Sequence, residues 1–369
     1  MSLSAGIIGL PNVGKSTFFN TITNLQVEAA NYPFATIEPN VGVAKVNDER
    51  VTALSNLINP KKTTYANCTF VDIAGLVKGA SKGEGMGNKF LGNIREVDVI
   101  CHIIRCFENQ DITHVLDKVD PIRDCEIVDL ELIIADIEVL EKRIIKLVSK
   151  VRGGDKQAAI EQEICEKILT TLKLEKFPNL NSFSLKEQEI IKTFNLLTTK
   201  KTLYIANIGE KNIANNENDT HYQNFLKYIN ARGLNEKVIP ISISLEYEIS
   251  TIQEESERKE FLQELGLQRS ALDTVIKSTY DLLNLQSFFT FGKDEVRAWT
   301  FVKGMKAQEC AELIHSDIAR GFIRAEIMDV NDLLEFKTEA AVKENGKLRV
   351  EGKEYLMRDG DVVYFRFNV

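Results

Sequence analysis

The chain has 369 residues, 44% hydrophobic and 27% charged, which is enough for two or three domains with real cores. A net charge of −8 excludes a protein that coats nucleic acid over its whole surface, while leaving room for a local basic face. No apolar run reaches the roughly 18 residues of a membrane span, the N-terminus lacks a basic stretch followed by an apolar one and a cleavage site, and the six cysteines show no CxxC spacing. These features read as a cytoplasmic protein with reduced, mostly buried thiols and neither a zinc site nor a disulfide framework; no membrane or DNA partner is expected.

The first apolar run, AGII at 5–8, leads directly into Gly9-Leu10-Pro11-Asn12-Val13-Gly14-Lys15-Ser16-Thr17 and then into a helical pattern through Phe18, Phe19 and Ile22. This is GxxxxGKS in its strand, loop and helix context, a phosphate cradle whose backbone amides and helix N-terminus bind anionic oxygens. Lys15 is expected to reach the β- and γ-phosphates and the Ser16 hydroxyl to ligate Mg²⁺. Asn12 is a candidate partner for a monovalent cation, K⁺, beside the phosphates. The proline-bounded loop NYPFATIEPN at 31–40 offers Thr36 as a second Mg²⁺ ligand. The next strand, TFVDIAG at 69–75, ends in DxxG: Asp72 can hold a metal-bound water and the Gly75 amide can donate to the γ-phosphate.

Leu76 stands where Ras-like switches carry the glutamine that positions the attacking water, so hydrolysis is expected to be slow unless a partner or another group enters. His102, inside the apolar run VICHII at 99–104, reads as a satisfied strand histidine. His114, in the polar stretch NQDITH at 109–114, reads as freer to move and is the candidate water-positioning residue.

The stretch between Asp72 and Asn207 is far longer than the roughly 60 residues of two βαβ units, which predicts an insertion. Apolar residues from Ile127 through Leu147 recur at spacings of three and four, Gly153-Gly154 interrupts, and Ile160, Ile164, Ile168 and Leu172 resume: two long helices folded back as a hairpin, an arm suited to a large partner. Ser184 with Glu187 predicts the capping box of a third helix. The strand TLYIA at 202–206 then delivers Asn207-Ile208-Gly209-Glu210 to the place of NKxD. Glu210 is a methylene longer than the aspartate that pairs guanine N1–H and its 2-amino group, and the lysine is replaced by Ile208. Adenine can instead be held by backbone groups around Ile208 and by apolar contact, which predicts ATP over GTP. The strand and loop at 238–246 offer a segment to close on the base.

From about Leu282 the pattern changes to short strands (288–291, 297–302, 347–350, 362–367) with one helix at 307–315, a β-grasp arrangement. Lys293, Arg297, Lys303, Lys306, Arg320 and Arg324, with Trp299, Phe301 and Phe322, form a candidate RNA-contacting face. His315 reads as structural.

GLPNVGKST, NYPFATIEPN, DIAGLVKGASKGEG, NIGE and RAWTFVKG…IHSDIARGFIRAEI together resemble the YchF subfamily of Obg-like ATPases, a branch of the translation-factor-related P-loop proteins. The resemblance covers essentially the whole chain. It implies ATP preference, an apolar residue (Leu76) in place of the catalytic glutamine, Mg²⁺ at Ser16 and Thr36, adenine contacts near Ile208, a helical-hairpin insertion, a C-terminal TGS domain and ribosome association. Residues 242–246 are its loosest part, which leaves the base-closing contact open. The expected class is α/β: a Ras-like P-loop domain (1–120 and 200–280) with a helical, coiled-coil-like insertion (121–199) and a TGS-like β-grasp domain (281–369). The nucleotide contacts are expected at Asn12, Val13, Gly14, Lys15, Ser16, Thr17, Asn207, Ile208 and Glu210. The leading reading is a Mg²⁺-dependent ATP-hydrolysing switch that associates with the ribosome, through its large subunit or the whole particle, with RNA contacts from the TGS domain and the arm. The alternatives are an Obg-type GTPase, which Glu210 and Ile208 oppose, and a nucleotide-gated RNA- or ribosome-binding scaffold. A nucleotide kinase is disfavoured because no arginine-rich lid follows the phosphate loop.

Overall fold

The computed structural model describes residues 3–24, 40–73, 86–234 and 236–368; Thr36, Gly75 and Leu76 lie outside them. In chain order the elements are β1 (Ser4–Ile8), α1 (Lys15–Asn24), β2 (Val41–Lys45), α2 (Glu49–Ile58), β3 (Lys62–Thr64), β4 (Asn67–Asp72), α3 (Met86–Glu96), β5 (Val99–Arg105) and α4 (Pro121–Arg152). There follow α5 (Lys156–Leu172), α6 (Leu185–Lys192), β6 (Lys201–Asn207), α7 (Thr220–Ala231), β7 (Lys237–Ile241), α8 (Ile243–Thr251), α9 (Glu255–Glu264) and α10 (Ala271–Leu282). The last elements are β8 (Leu285–Phe291), β9 (Glu295–Val302), α11 (Ala307–Ile314), α12 (Ser316–Arg320), β10 (Phe322–Asp329), α13 (Val330–Phe336), α14 (Glu339–Glu344), β11 (Arg349–Glu351) and β12 (Asp361–Phe367). The described residues form two compact units, the first comprising 3–24, 40–42, 69–73, 86–234 and 236–275, the second 43–68 and 276–368.

The sheet of the first unit has the order β2-β4-β1-β5-β6-β7, with β1 parallel to β4 and β5, and β6 parallel to β5 and β7. Every residue of β5 is buried, the continuous apolar pattern of a strand covered on both faces. The registers Ile7↔Asp72, Arg105↔Asn207 and Asn207↔Ile241 bring the carboxyl ends of these strands to one edge. The chain leaves β1 toward β4 on one side and β5 on the other, the switch point at which open α/β sheets hold ligands.

The predicted helical hairpin is present. The Asp120 side chain caps α4, accepting from the Arg123 amide, with Pro121 in the first turn. Gly154 turns at φ 89°, a left-handed conformation suited to glycine, and Asp155 caps α5. Ile133, Leu140 and Leu147 of α4 pack with Ile164, Ile168 and Leu172 of α5 and with Phe194 beyond α6, which carries the expected Ser184–Glu187 capping box. At the root of the arm, the fully buried Asp136 accepts from the backbone amides of Leu197 (3.1 Å) and Thr198 (2.8 Å), from the Thr198 hydroxyl (2.8 Å) and from Arg95 Nη2 (3.2 Å), fixing the return of the chain into β6.

In the second unit the sheet order is β11-β10-β12-β8-β9-β3. Two features depart from the sequence reading. Residues 43–68 belong to this unit and not to a nucleotide domain spanning 1–120, because β3 pairs in parallel with β9 through Lys62↔Glu295. Residues 322–329, read as part of a cationic and aromatic face, form the strand β10 between β11 and β12. The rings of that face are not a stacking platform: Phe301 is 1% exposed, and Trp299 and Phe322 pack around the core that holds Phe288 and Phe365. Of the cations, Arg297 lies over the Trp299 ring, Lys306 pairs with Glu354, Arg320 with Asp317 and Arg324 with Glu326. All six cysteines are buried and free, as expected.

Asp136→Ala would leave two buried amides, a hydroxyl and a guanidinium without their acceptor. The expected loss of stability is about 3 kcal/mol, read as a lower urea midpoint at unchanged slope. A change below about 1 kcal/mol would show that the junction does not depend on this carboxylate.

Candidate nucleotide site

The phosphate loop follows β1 directly and α1 begins at Lys15, with the Phe18 amide donating to the Gly14 carbonyl at 2.9 Å. Gly9 at φ +150° has no room for a side chain, since a Cβ there would lie 2.5 Å from the Ile103 carbonyl oxygen. Gly14, at φ +104°, is closed in the same way by Asn207 Nδ2 at 2.9 Å and Ile243 Cδ1 at 3.1 Å. The close approach of β5, the end of β6 and the start of α8 thus explains the glycines as much as phosphate binding does. Lys15 Nζ donates across the loop to the Leu10 carbonyl at 2.7 Å. Burial lowers its pKa to about 8, partly offset by the charge of Asp72; burial in turn raises the pKa of Asp72, with Lys15 opposing.

An open pocket of about 1080 Å³ joins this loop to the proposed base loop. Asn12, Gly14, Lys15, Ser16 and Thr17 line one end, and Asn207, Ile208, Gly209, Glu210, Ile243 and Ser244 the other. Val13, expected among the nucleotide contacts, is 1% exposed and absent from the lining; its carbonyl accepts from Asn207 Nδ2 at 2.9 Å. Asn207 Oδ1 in turn accepts from the Ile243 amide at 3.2 Å, so this side chain ties the phosphate loop to the start of α8. The Ile208 amide, expected to face adenine, donates to the Ile241 carbonyl at 2.8 Å, and its side chain is 1% exposed in the cluster of Ile104, Tyr204 and Phe225. The apolar surface at this end is supplied by Phe107 and Ile243. Glu210 Oε1 accepts from the Ser244 hydroxyl at 2.8 Å, which closes the loosely read segment 242–246 onto the base loop.

Sequence reasoning missed the third wall, residues 106–109 and 112 after β5, and a fourth at 218–221. The third is built on Arg105, 1% exposed, whose guanidinium donates to the carbonyls of Phe107 (3.1 Å), Ile112 (3.0 Å) and Asn109 (3.3 Å). Its one sequence signal is an arginine closing an otherwise apolar strand. The same loop meets the phosphate loop, since Asn12 Nδ2 donates to the Thr113 carbonyl at 3.2 Å. His114 is not the free surface side chain expected: it is 6% exposed, with Nε2 2.8 Å from Asp124 Oδ2 and Nδ1 accepting from the Leu116 amide at 3.1 Å. Asp124 keeps a second partner, Arg123 Nη2 at 3.1 Å. His102 occupies β5 as expected, but among the described residues its Nε2 has no hydrogen-bond partner.

Named proteins match this chain over its whole length. Proteins named ribosome-binding ATPase YchF are 52% identical in Bacillus subtilis (strain 168) over 369 residues and 52% identical in Mycoplasma genitalium over 372 residues, each covering 100% of both chains. The chain belongs to the YchF family. The YchF protein of Escherichia coli O157:H7 is 46% identical over 369 residues. A structure described as the Schizosaccharomyces pombe YchF GTPase superposes with a TM-score of 0.89 at 39% identity, covering 99% of this chain and 97% of that one. A family model described as 50S ribosome-binding GTPase matches residues 4–150, and one for the YchF GTPase C-terminal region, described as a protein of unknown function, matches residues 285–368. The YchF names differ on the base, ATPase in some and GTPase in others, which puts weight on the geometry around Glu210. The exposed Ser16 hydroxyl, at the start of the helix that follows β1, and the Asp72 carboxylate, at the end of the neighbouring strand β4, are hard oxygen donors of the kind Mg²⁺ takes.

The low pKa of Lys15 has a consequence for binding. A bound triphosphate favours the ammonium form and raises that pKa, so above about pH 8 binding must take up a proton. ATP affinity is therefore expected to be level below about pH 8 and to fall by about tenfold per unit above it, as measured by calorimetry at constant Mg²⁺. A flat profile through about pH 9.5 would show that Lys15 stays charged without the triphosphate.

Proposed function

We propose that this chain is a Mg²⁺-dependent, ATP-hydrolysing switch of the cytoplasm that associates with the ribosome. The observation that carries the base assignment is the state of the base loop. Glu210 is engaged by Ser244, and the position that holds lysine in a guanine reader is a core isoleucine, Ile208. The tie to Ser244 draws the longer Glu210 side chain away from the paired geometry that guanine selects, and the lysine stem is missing. Adenine meets Phe107 and Ile243 on its apolar faces. Mg²⁺ would be held by Ser16 and Thr36, with Asp72 acting through a water, and would neutralise charge on the β- and γ-phosphates. The Gly75 amide would donate to the γ-phosphate, K⁺ would sit near Asn12, and the ribosome would be met through the TGS-like domain and the helical arm.

ATP is expected to bind at least tenfold more tightly than GTP. Glu210→Asp, which shortens the side chain away from Ser244, is expected to narrow that ratio by about tenfold. Ile208→Lys is a poor companion because it would bury an ammonium among Ile104, Tyr204 and Phe225. Equal wild-type affinities for both nucleotides would overturn the base assignment.

For hydrolysis, Leu76 supplies nothing to a water, and His114 is the residue we assign to it. The His114 ring reaches the γ-phosphate side only by leaving Asp124, a step made cheaper because Arg123 continues to pair that carboxylate. His114→Ala is expected to lower kcat by about 10²-fold with the Kd for ATP within about twofold. A parallel loss of ATP affinity would mark His114 as a structural support of the pocket wall. Stimulation of wild-type turnover by ribosomes separates the switch from a scaffold, in which neither turnover nor attachment responds to the partner or to nucleotide state.

A further inference from the structure

On the opposite side of β5 from Arg105, three side chains of metal-binding type meet in the core. His102 comes from the middle of the strand, and Cys125 and Asp129 stand one turn apart on α4. A ring nitrogen of His102, Cys125 Sγ and a carboxylate oxygen of Asp129 all lie within 4.8 Å of one another. The three residues are 2%, 0% and 8% exposed, and among the described residues His102 Nε2 has no hydrogen-bond partner, a costly state for a buried ring nitrogen.

The surrounding charges define what would fit. Arg232 Nη1 donates to Asp129 Oδ2 at 2.8 Å and to the Tyr204 hydroxyl at 2.9 Å, and its Nε lies 3.4 Å from a Glu236 oxygen. Two carboxylates therefore face one guanidinium, an excess of one negative charge. Ligation through sulfur converts Cys125 to the thiolate and makes the excess two, the charge a divalent cation cancels. Imidazole, thiolate and carboxylate together select a borderline-soft ion over Mg²⁺ or Ca²⁺. Arg232 Nη1 meets Asp129 Oδ2 at 2.8 Å and Cys125 Sγ at 3.9 Å, so with an ion bound the guanidinium has to draw back from the sulfur while it orients the carboxylate as an outer partner.

We propose that His102, Cys125 and Asp129 form a buried binding site for a zinc-type divalent ion that fastens the root of the helical arm to the central strand. Bonds of about 2.0–2.3 Å draw the three ligands inward, and a water or the Tyr204 hydroxyl can complete a tetrahedron. The S–H bond of Cys125 breaks as the sulfur–metal bond forms, its proton passing to water while the folding chain still leaves the site open, and no electron is transferred. Because the site is enclosed, the ion enters during folding.

The test uses the full chain produced in medium supplemented with zinc or, separately, with cobalt, then gel-filtered in chelator-free buffer. The expected result is one zinc per chain by elemental analysis and, in the cobalt-grown protein, a thiolate-to-metal charge-transfer band in the near ultraviolet. Cys125→Ser is expected to abolish the band and reduce retained zinc more than tenfold while ATP binding persists, and Cys165→Ser, in the distal core of the arm, to leave both unchanged. X-ray absorption at the zinc edge of the wild type supplies a measurement that no variant's folding can obscure: one sulfur at about 2.3 Å with at least one imidazole is expected. A wild-type protein without zinc above background, a shell of nitrogen and oxygen alone, or a charge-transfer band that survives Cys125→Ser would overturn the site.

Discussion

The geometry of the pocket rests on one side-chain amide. Asn207 donates to the Val13 carbonyl and accepts from the Ile243 amide, with 6% of its surface exposed. A planar group of fixed length thus sets how far the phosphate grip lies from the segment that closes over the base. The parallel strands make this possible, since β1, β6 and β7 all deliver their loops to one edge. Glycine at position 14 is the counterpart of Asn207: a methyl group there would push the amide away and break the tie it makes one residue earlier. A site held in this way loses little freedom when a nucleotide enters, which leaves more of the contact energy for affinity.

The wall after β5 joins the pocket to the arm. Arg105 gathers three carbonyls of the loop, Thr113 touches the phosphate loop, and His114 docks on Asp124 in the first turn of α4. That helix runs without interruption for 32 residues, a rod of about 48 Å. A displacement of His114 therefore acts on the root of a stiff element and is not absorbed by a flexible linker. The cost of the displacement is moderated by Arg123, which keeps the Asp124 charge paired when the imidazole leaves.

Legibility in the sequence followed the range of the interactions. The phosphate loop, the arm with its glycine turn and the Ser184–Glu187 cap were readable because each is fixed by residues within a few positions of one another. The base loop was readable as a departure from NKxD, but its contacts were not: whether the Ile208 amide faces a ligand or Ile241 depends on β7, more than thirty residues away. The pairing of β3 with β9 joins positions 62 and 295, and nothing in the short segment KTT announces it. β10 was hidden by its own composition, because Arg324 and Glu326 on its open face pair with each other and imitate a solvated charged run. His114 misled for a related reason: a polar neighbourhood in sequence suggested exposure, yet the loop folds inward around Arg105 and buries it.

The two polar residues of β5 show how differently a buried strand treats such groups. Arg105 sits at the strand's end, where the chain can curl back and offer carbonyls, so its charge becomes the organising centre of a loop. His102 sits three residues earlier, hydrogen-bonded through its backbone to neighbours on both sides of the sheet and unable to recruit a loop. Its side chain faces the Tyr204 ring of β6, the thiol and carboxylate of α4, and Arg232 at the end of α7, which faces the same carboxylate. Burial, with the nearby charges of Arg232 and Lys15, lowers the imidazole pKa to about 3, so at neutral pH the ring is uncharged with a lone pair available. Arg232 Nη1 is already engaged by Asp129 and Tyr204, and its single charge leaves one of the two carboxylates Asp129 and Glu236 in excess. A small cation with directional bonds to nitrogen, sulfur and oxygen meets both demands, which is why the imbalance around His102 reads as a ligand set and not as an ordinary core histidine.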